Sequence, residues 1–175
     1  MEHSNNSNRP RRVQLFFVAP GADGETPIAL LEKRCSTEHK TWAGLSTAPI
    51  GGKLEPSEDD FTALTRLIST RIRGTGGLFR LLALLSGVKD APKRYLLSKG
   101  RVNVYGLPVD AEVFNMLNPT CEGDQFTQVT LEGLAQVIRA EKQRKHVPYD
   151  EQHPVVFPHV PAALQRAFGR FRRRP

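Results

Sequence analysis

An α+β fold is the class that this sequence predicts, because strand-like and helix-like stretches both recur along the chain. Val13 to Ala19 (VQLFFVA) and Thr26 to Lys33 (TPIALLEK) are rich in residues that suit strands, and the turn residues 20–24 between them predict a hairpin. Apolar residues recur at helical spacing after residue 60 and again after residue 130. The chain is therefore expected to combine a sheet with several helices.

The stretch from Gly51 to Gly74 predicts a glycine turn followed by an amphipathic helix. Ser57 is the expected N-cap, and the acids that follow it complement the helix dipole in the first turn: Glu58, Asp59 and Asp60. The expected buried stripe consists of Phe61, Leu64, Ile68 and Ile72. The glycines expected to end the helix are Gly74, Gly76 and Gly77.

The middle of the chain is more apolar and then basic. Leu78 to Val88 predicts a helix whose exposed leucines could serve a protein interface. A basic loop is expected next, with Lys93, Arg94 and Lys99 around Tyr95. Residues 101–109 then alternate as a strand with one buried face, and residues 110–117 predict a short helix.

The last third predicts a strand and two helices. The strand covers residues 125–129, and Thr130 is the expected N-cap of the helix that follows. Pro161 marks the start of a C-terminal helix. We expect one domain over residues 11–168, between a disordered tail at residues 1–10 and a basic tail at residues 169–175.

Composition favours an anionic partner. The 175 residues include 25 Lys and Arg against 18 Asp and Glu, a net charge of +7, and the isoelectric point is near 9.8. Such a balance suits nucleotides or nucleic acid. Two cysteines are too few for a disulfide framework, and the apolar run at residues 81–85 is far too short for a membrane span. We expect an intracellular protein, with the cytoplasm favoured and an organelle left open, and no membrane partner.

The spacing of three residues resembles the first half of the Nudix box. Glu58 follows Gly52 by six positions, and Arg66 follows Glu58 by eight. A tryptophan upstream of the glycine turn, here Trp42 before residues 49–52, also resembles that family. The order of the predicted strands and helices resembles it as well. The resemblance implies a mixed β-sheet sandwiched between α-helices. It also implies hydrolysis of nucleoside diphosphate-linked compounds with Mg²⁺ or Mn²⁺.

The second half of the box departs from the family. Where the family has three glutamates, this chain has Leu67, Thr70 and Arg71, which project from one face of a helix. Carboxylates are the ligands that Mg²⁺ and Mn²⁺ prefer. Three negative charges are thus replaced by one positive charge. The box is degenerate, and no metal cofactor is expected.

Three hypotheses about function remain open. The first is a non-catalytic module that binds a nucleotide, an RNA end or another phosphate-bearing ligand through Arg66, Arg71 and Lys53. The second is a divergent hydrolase that holds Mg²⁺ or Mn²⁺ through Glu55 and Glu58, helped by two acids of the later loop, Glu122 and Asp124. The third is a docking subunit of a larger ribonucleoprotein complex.

Overall fold

The computed structural model describes residues 11–33, 45–119, 125–143, 155–156 and 160–171. Several residues singled out above lie outside these ranges: Trp42, Glu122, Asp124, the N-terminal tail and the last four residues of the C-terminal tail. The described elements form a mixed sheet with helices on both faces, which confirms the predicted α+β class.

The sheet has eight strands. They are β1 (Arg12–Pro20), β2 (Pro27–Lys33), β3 (Leu45–Thr47), β4 (Ile50–Lys53), β6 (Leu96–Ser98), β7 (Val102–Pro108), β9 (Gln125–Thr130) and β10 (Val155–Val156). The main order is β10-β3-β2-β1-β7-β6, with β4 paired to β1 and β9 paired to β2. The β1–β7 and β3–β10 pairs are parallel and the others are antiparallel. Two short strands, β5 (Ile72–Arg73) and β8 (Asn118–Pro119), pair separately.

Six helices cover the sheet. They are α1 (Asp60–Arg71), α2 (Thr75–Asp90), α3 (Pro92–Tyr95), α4 (Ala111–Met116), α5 (Leu131–Gln143) and α6 (Val160–Phe171). Side chains of β1 alternate between the two faces, as a strand requires. Val13, Leu15 and Phe17 pack with α1, α2 and α4, whereas Phe16 and Val18 pack with α5 and α6. The sheet thus separates two hydrophobic cores.

The predicted hairpin, late strand and short helix are confirmed. β1 and β2 pair through Val18 and Ala29, and their turn is held by Asp23, whose carboxylate accepts hydrogen bonds from the backbone of Glu25 and Thr26. Thr130 caps α5, because its hydroxyl accepts a hydrogen bond of 3.1 Å from the Gly133 amide. The C-terminal helix runs to Phe171, so it includes the first three residues of the predicted basic tail.

The start of α1 differs from the prediction. Ser57 is not the N-cap: it lies in the preceding turn with a φ of 66°. Asp59 caps the helix instead, and its carboxylate accepts a hydrogen bond of 2.7 Å from the Thr62 amide. A capping side chain accepts from the amide two or three residues later, and Asp59, whose backbone is extended, lies three residues before Thr62.

The predicted buried stripe of α1 is confirmed, because Leu64, Ile68 and Ile72 are buried and Phe61 is half-buried against the same core. Ala63 and Leu67 are buried as well and widen this face. Leu67 was expected beside Thr70 and Arg71 on an open face. It packs against Gly52 of β4 instead, so close that a Cβ on this glycine would lie 2.7 Å from Leu67 Cδ2.

The glycines after α1 have other roles than the predicted ones. α1 ends at Arg71, and Gly74, with a φ of 97°, precedes α2. Gly76 and Gly77 lie inside the first turn of α2. Gly77 allows close approach to α4, because an added Cβ would lie 3.4 Å from Cβ of Met116.

Two predictions for the middle of the chain have different outcomes. The apolar segment 78–88 is helical as predicted, and it exposes Phe79 by 71% and Leu84 by 38%. The prediction of a basic loop is wrong, because residues 92–98 form α3 and β6. Pro92 suits the first turn of a helix, and β6 forms an antiparallel hairpin with β7.

Gly52→Ala should destabilise the fold by about 1–3 kcal/mol, because the added methyl group overlaps the buried Leu67 side chain. Urea denaturation would measure the change. Gly76→Ala is the matched control, since its Cβ would meet nothing within 4 Å, and we expect it to be neutral or stabilising. Equal effects of the two substitutions would show that the contact between Gly52 and Leu67 does not limit packing.

Candidate functional site

Arg66 ties the loop after β4 to helix α1. Its guanidinium donates two hydrogen bonds to the Glu58 carboxylate, from Nε at 2.9 Å and from Nη2 at 2.7 Å. Nη2 also donates to the Lys53 carbonyl oxygen at 3.1 Å, and Nε lies 3.3 Å from Glu55 Oε1. The contact with both glutamates follows from the sequence, in which Arg66 was expected to reach Glu58 or Glu55.

Glu58 is held as an anion. Its side chain is 6% exposed, and its carboxylate also accepts a hydrogen bond of 2.8 Å from the Glu55 amide. The hydrogen bonds from Arg66 lower the pKa of Glu58 to about 2, with the Glu55 amide as the second cause. The same pair raises the pKa of Arg66.

The other two acids at the start of α1 are also engaged within the fold. Asp59 caps the helix, and the Thr62 amide lowers the pKa of its carboxyl. Asp60 accepts hydrogen bonds from Asn103 at 2.6 Å and Tyr105 at 2.7 Å. It also accepts one from Arg11 at 3.1 Å. Of the three acids predicted for the first turn, Asp60 lies in it, whereas Asp59 is the cap and Glu58 precedes the helix.

Tyr105 shows how closely α1 is joined to the sheet. Burial, followed by the hydrogen bond to Asp60, raises the pKa of the Tyr105 hydroxyl. Asn103 beside it is buried, and its side-chain oxygen accepts a hydrogen bond of 3.1 Å from the Gly100 amide. The beginning of α1 is thus fixed to β7 by buried polar contacts.

The three helix positions after Arg66 are occupied in different ways. Leu67 is buried in the core. The Thr70 hydroxyl donates to carbonyl oxygens of its own helix, Arg66 and Leu67, each at 3.1 Å. Arg71 Nη1 lies 3.8 Å from Glu32 Oε1 on β2. The cation therefore stands beside a carboxylate that is only 4% exposed.

Sequence reasoning missed Glu32. This glutamate lies in an apolar strand and is one of the buried polar residues of the core. A buried carboxylate is costly unless it is paired, so an acid within TPIALLEK was the available signal. Its partner could not be named, because Glu32 and Arg71 are distant in sequence.

The predicted site residues are brought together only in part. Glu55, Glu58 and Arg66 meet, and the Lys53 carbonyl joins them. Lys53 is exposed at the end of β4, one position after Gly52, which faces Leu67 of α1. Strand alternation therefore directs the Lys53 side chain away from the face that carries Arg71. Within the described ranges, no group of three or more His, Cys, Asp or Glu residues is arranged to hold a metal ion. Convergence with Glu122 and Asp124 lies outside these ranges.

The three proposed phosphate ligands consequently differ in the charge around them. The guanidinium of Arg66 is compensated by two carboxylates, so it acts first as a structural cation. Arg71 faces one carboxylate at a longer distance. Lys53 is exposed at the end of β4. Of the three, Arg66 thus has the most fully compensated charge.

Comparisons with known proteins find similarity only among solved structures. No protein-family model matches the chain, and no curated protein matches it significantly. An Ap4A hydrolase from C. elegans is 12% identical over 93% of this chain and 97% of that one, with a TM-score of 0.47. A Nudix hydrolase from Alicyclobacillus acidocaldarius is 14% identical over 94% and 93%, with a TM-score of 0.48.

A third similar structure is the Nudix hydrolase RenU from M. smegmatis, which is 16% identical over 90% of this chain and 83% of that one, with a TM-score of 0.44. The function of this chain is therefore inferred from its own side chains.

Among the helices of the described residues, none is both long and apolar enough to cross a membrane.

Glu58→Gln should reduce the acid sensitivity of the fold. Because the pKa of Glu58 is lowered from 4.5 to about 2, its ionised form stabilises the native state fully above pH 4.5. That contribution is lost as the pH falls towards 2. The variant should be less stable at neutral pH and should converge with the wild type in acid.

Urea denaturation midpoints across this pH range would measure the effect. Glu132→Gln, an exposed acid on α5, is the control and should follow the wild-type profile. Parallel profiles for Glu58→Gln and the wild type would contradict the assigned role of the pair between Glu58 and Arg66.

Proposed function

We propose that this protein binds a nucleotide, an RNA end or another phosphate-bearing ligand beside Arg71, and that it does not hydrolyse this ligand. A Nudix-type arrangement supports the idea of a diphosphate-sized ligand, because the resemblance around Gly52, Glu58 and Arg66 extends to a bidentate pair between Glu58 and Arg66. The remaining positions of the helix then decide between binding and reaction.

The observation that carries the proposal is the occupancy of α1 after Arg66. Leu67 fills space in the core, the Thr70 hydroxyl is bonded to its own helix, and Arg71 supplies a cation. A dication needs oxygen ligands that can be ionised at neutral pH. Neither the leucine nor the arginine can provide one, and each nearby acid of the first turn already has a partner.

Arg71 has the chemistry to bind phosphate. Its side chain is 29% exposed, and 3.8 Å to Glu32 is an ion-pair distance but too long for a hydrogen bond. A guanidinium has five donors in a planar fork that matches phosphate oxygens bidentately. Glu32 orients this fork and also weakens its attraction for an anion. We therefore expect moderate affinity.

The test uses ADP and inorganic pyrophosphate as probes, with titration calorimetry in EDTA. The wild type should bind without a divalent cation. Arg71→Gln/Glu32→Gln removes both charges together, so that no buried carboxylate is left unpaired, and it should weaken binding about tenfold or more. Glu32→Gln alone should tighten binding, because Arg71 then keeps its full charge.

Arg80→Gln is the matched control. Arg80 pairs with Glu112 at 2.6 Å on the surface of α2, and both side chains are at least half exposed. Its loss should leave probe binding unchanged. Binding that requires Mg²⁺, or that survives the double substitution, would contradict the proposal.

A divergent hydrolase is the alternative, because the pair between Glu58 and Arg66 matches the first half of the Nudix box. A turnover screen over nucleoside diphosphate-linked compounds with Mg²⁺ and Mn²⁺ distinguishes it, and we expect no turnover. Activity that disappears in Glu58→Gln would establish the alternative, with Glu55, Glu58, Glu122 and Asp124 as the metal ligands to examine.

A further inference from the structure

Two segments of the sequence lack acidic residues, and their described parts, residues 91–109 and 160–171, lie side by side in the fold. Residues 91–109 contain four basic residues and no Asp or Glu, and residues 160–175 contain five arginines and no Asp or Glu. The described part of this charge forms what we name the basic surface: Lys93, Arg94, Lys99, Arg101, Arg166 and Arg170. Every member of it is exposed.

Hydrogen bonds join the two segments. Arg166 Nη1 donates to the Leu97 carbonyl oxygen at 3.1 Å, and Arg170 Nη1 donates to the Arg94 carbonyl oxygen at 3.1 Å. The helix α6 therefore runs antiparallel to residues 94–97. This register directs the Lys99 to Arg101 turn towards the beginning of α6. Cations from two groups, residues 93–101 and residues 166–170, which are more than 60 positions apart in sequence, thus lie on neighbouring segments.

The cations of this surface differ from four other arginines of the fold. Arg11, Arg66, Arg71 and Arg80 each have a carboxylate within ion-pair distance. No member of the basic surface has such a partner among the residues that the structure describes. The dipole of α6 accounts for Arg170 near its C-terminus, but it does not account for Lys93, Arg94, Lys99 or Arg101.

The basic surface lies away from Arg71. α6 packs on the face of the sheet that contains Phe16 and Val18, whereas α1 packs on the opposite face. A ligand held at Arg71 would therefore not reach Arg166 or Arg170. The two regions of positive charge are separate.

We propose that the basic surface binds the phosphodiester backbone of a nucleic acid strand, independently of the ligand beside Arg71. Exposed arginines bind phosphate oxygens well, and a row of them follows a backbone without reading its sequence. The surface of α6 carries an open concavity of about 480 Å³, lined by Ala162, Gln165, Arg166, Gly169 and Arg170. None of these residues is aromatic, so the concavity offers no ring for a base to stack on, and contact with the backbone is favoured over base recognition.

A membrane surface fits the observations less well. Interfacial binding needs large apolar side chains beside the cations. Within the described chain, the large apolar side chains that are exposed are Phe79, Leu84 and Met116. These belong to α2 and α4, on the other side of the sheet.

The experiment measures fluorescence anisotropy of a labelled single-stranded RNA of random sequence over a salt series. Lys93→Glu/Arg94→Glu reverses two charges and keeps the hydrogen bonds that Arg166 and Arg170 donate. It should weaken binding about tenfold or more at low salt. It should also reduce the slope of log affinity against log salt by about 1.4, at about 0.7 for each lost phosphate contact.

Arg73→Glu/Arg80→Glu is the matched control, because it changes the net charge by the same amount at two exposed residues near the beginning of α2, whereas α3 follows the end of α2. Its affinity should stay close to that of the wild type. Circular dichroism melts of both double variants verify folding. Arg71→Gln/Glu32→Gln should retain RNA binding, which separates this proposal from the one for ADP and pyrophosphate.

Three results would overturn the inference. One is equal weakening by the two charge reversals, which would reflect net charge alone. Another is loss of RNA binding in Arg71→Gln/Glu32→Gln but not in Lys93→Glu/Arg94→Glu, which would place the strand beside α1. The third is binding to anionic vesicles, but not to RNA, that depends on Lys93 and Arg94.

Discussion

The pair between Glu58 and Arg66 is the interaction on which the site depends. It joins the loop that leaves β4 to the middle of α1 through two charge-assisted hydrogen bonds. The same guanidinium holds the last carbonyl of β4. Because the Glu58 side chain is only 6% exposed, loss of the arginine would leave a nearly buried anion without its main partner. This pair therefore sets the angle at which α1 crosses the strand.

That geometry has a chemical consequence. With the loop in this position, Leu67 of α1 packs against Gly52, and Arg71 lies within ion-pair distance of Glu32. The carboxylates around the helix start are all committed to contacts within the fold, to the helix cap, to Arg66 or to β7. Arg71 adds a partly exposed cation to this face, and the proposed function rests on that cation.

The strands and most helices could be predicted because they depend on local patterns. Alternating burial in β1 and the turn chemistry around Asp23 are visible in the sequence. The errors arose where a distant contact decided the outcome. Leu67 is buried because Gly52 leaves room for it, and residues 96–98 form a strand because β7 lies beside them.

The site was predictable to a smaller extent. The spacing of Glu58 and Arg66 was sufficient to foresee their contact, since both belong to one loop and the helix that it enters. The roles of Glu32 and Asp60 were not foreseeable in this way, because their partners come from other elements of the fold. The contacts of buried polar groups are therefore the part of this protein that its sequence does not predict.

The central position of β1 has a consequence for how the molecule opens. This strand pairs with β2, β4 and β7, and its side chains enter both cores. Fraying of the helices on either face would leave its backbone hydrogen bonds in place. Solvent exchange of its amide protons would consequently require disruption of the sheet itself, so these amides report on global unfolding while the outer helices report on local motion.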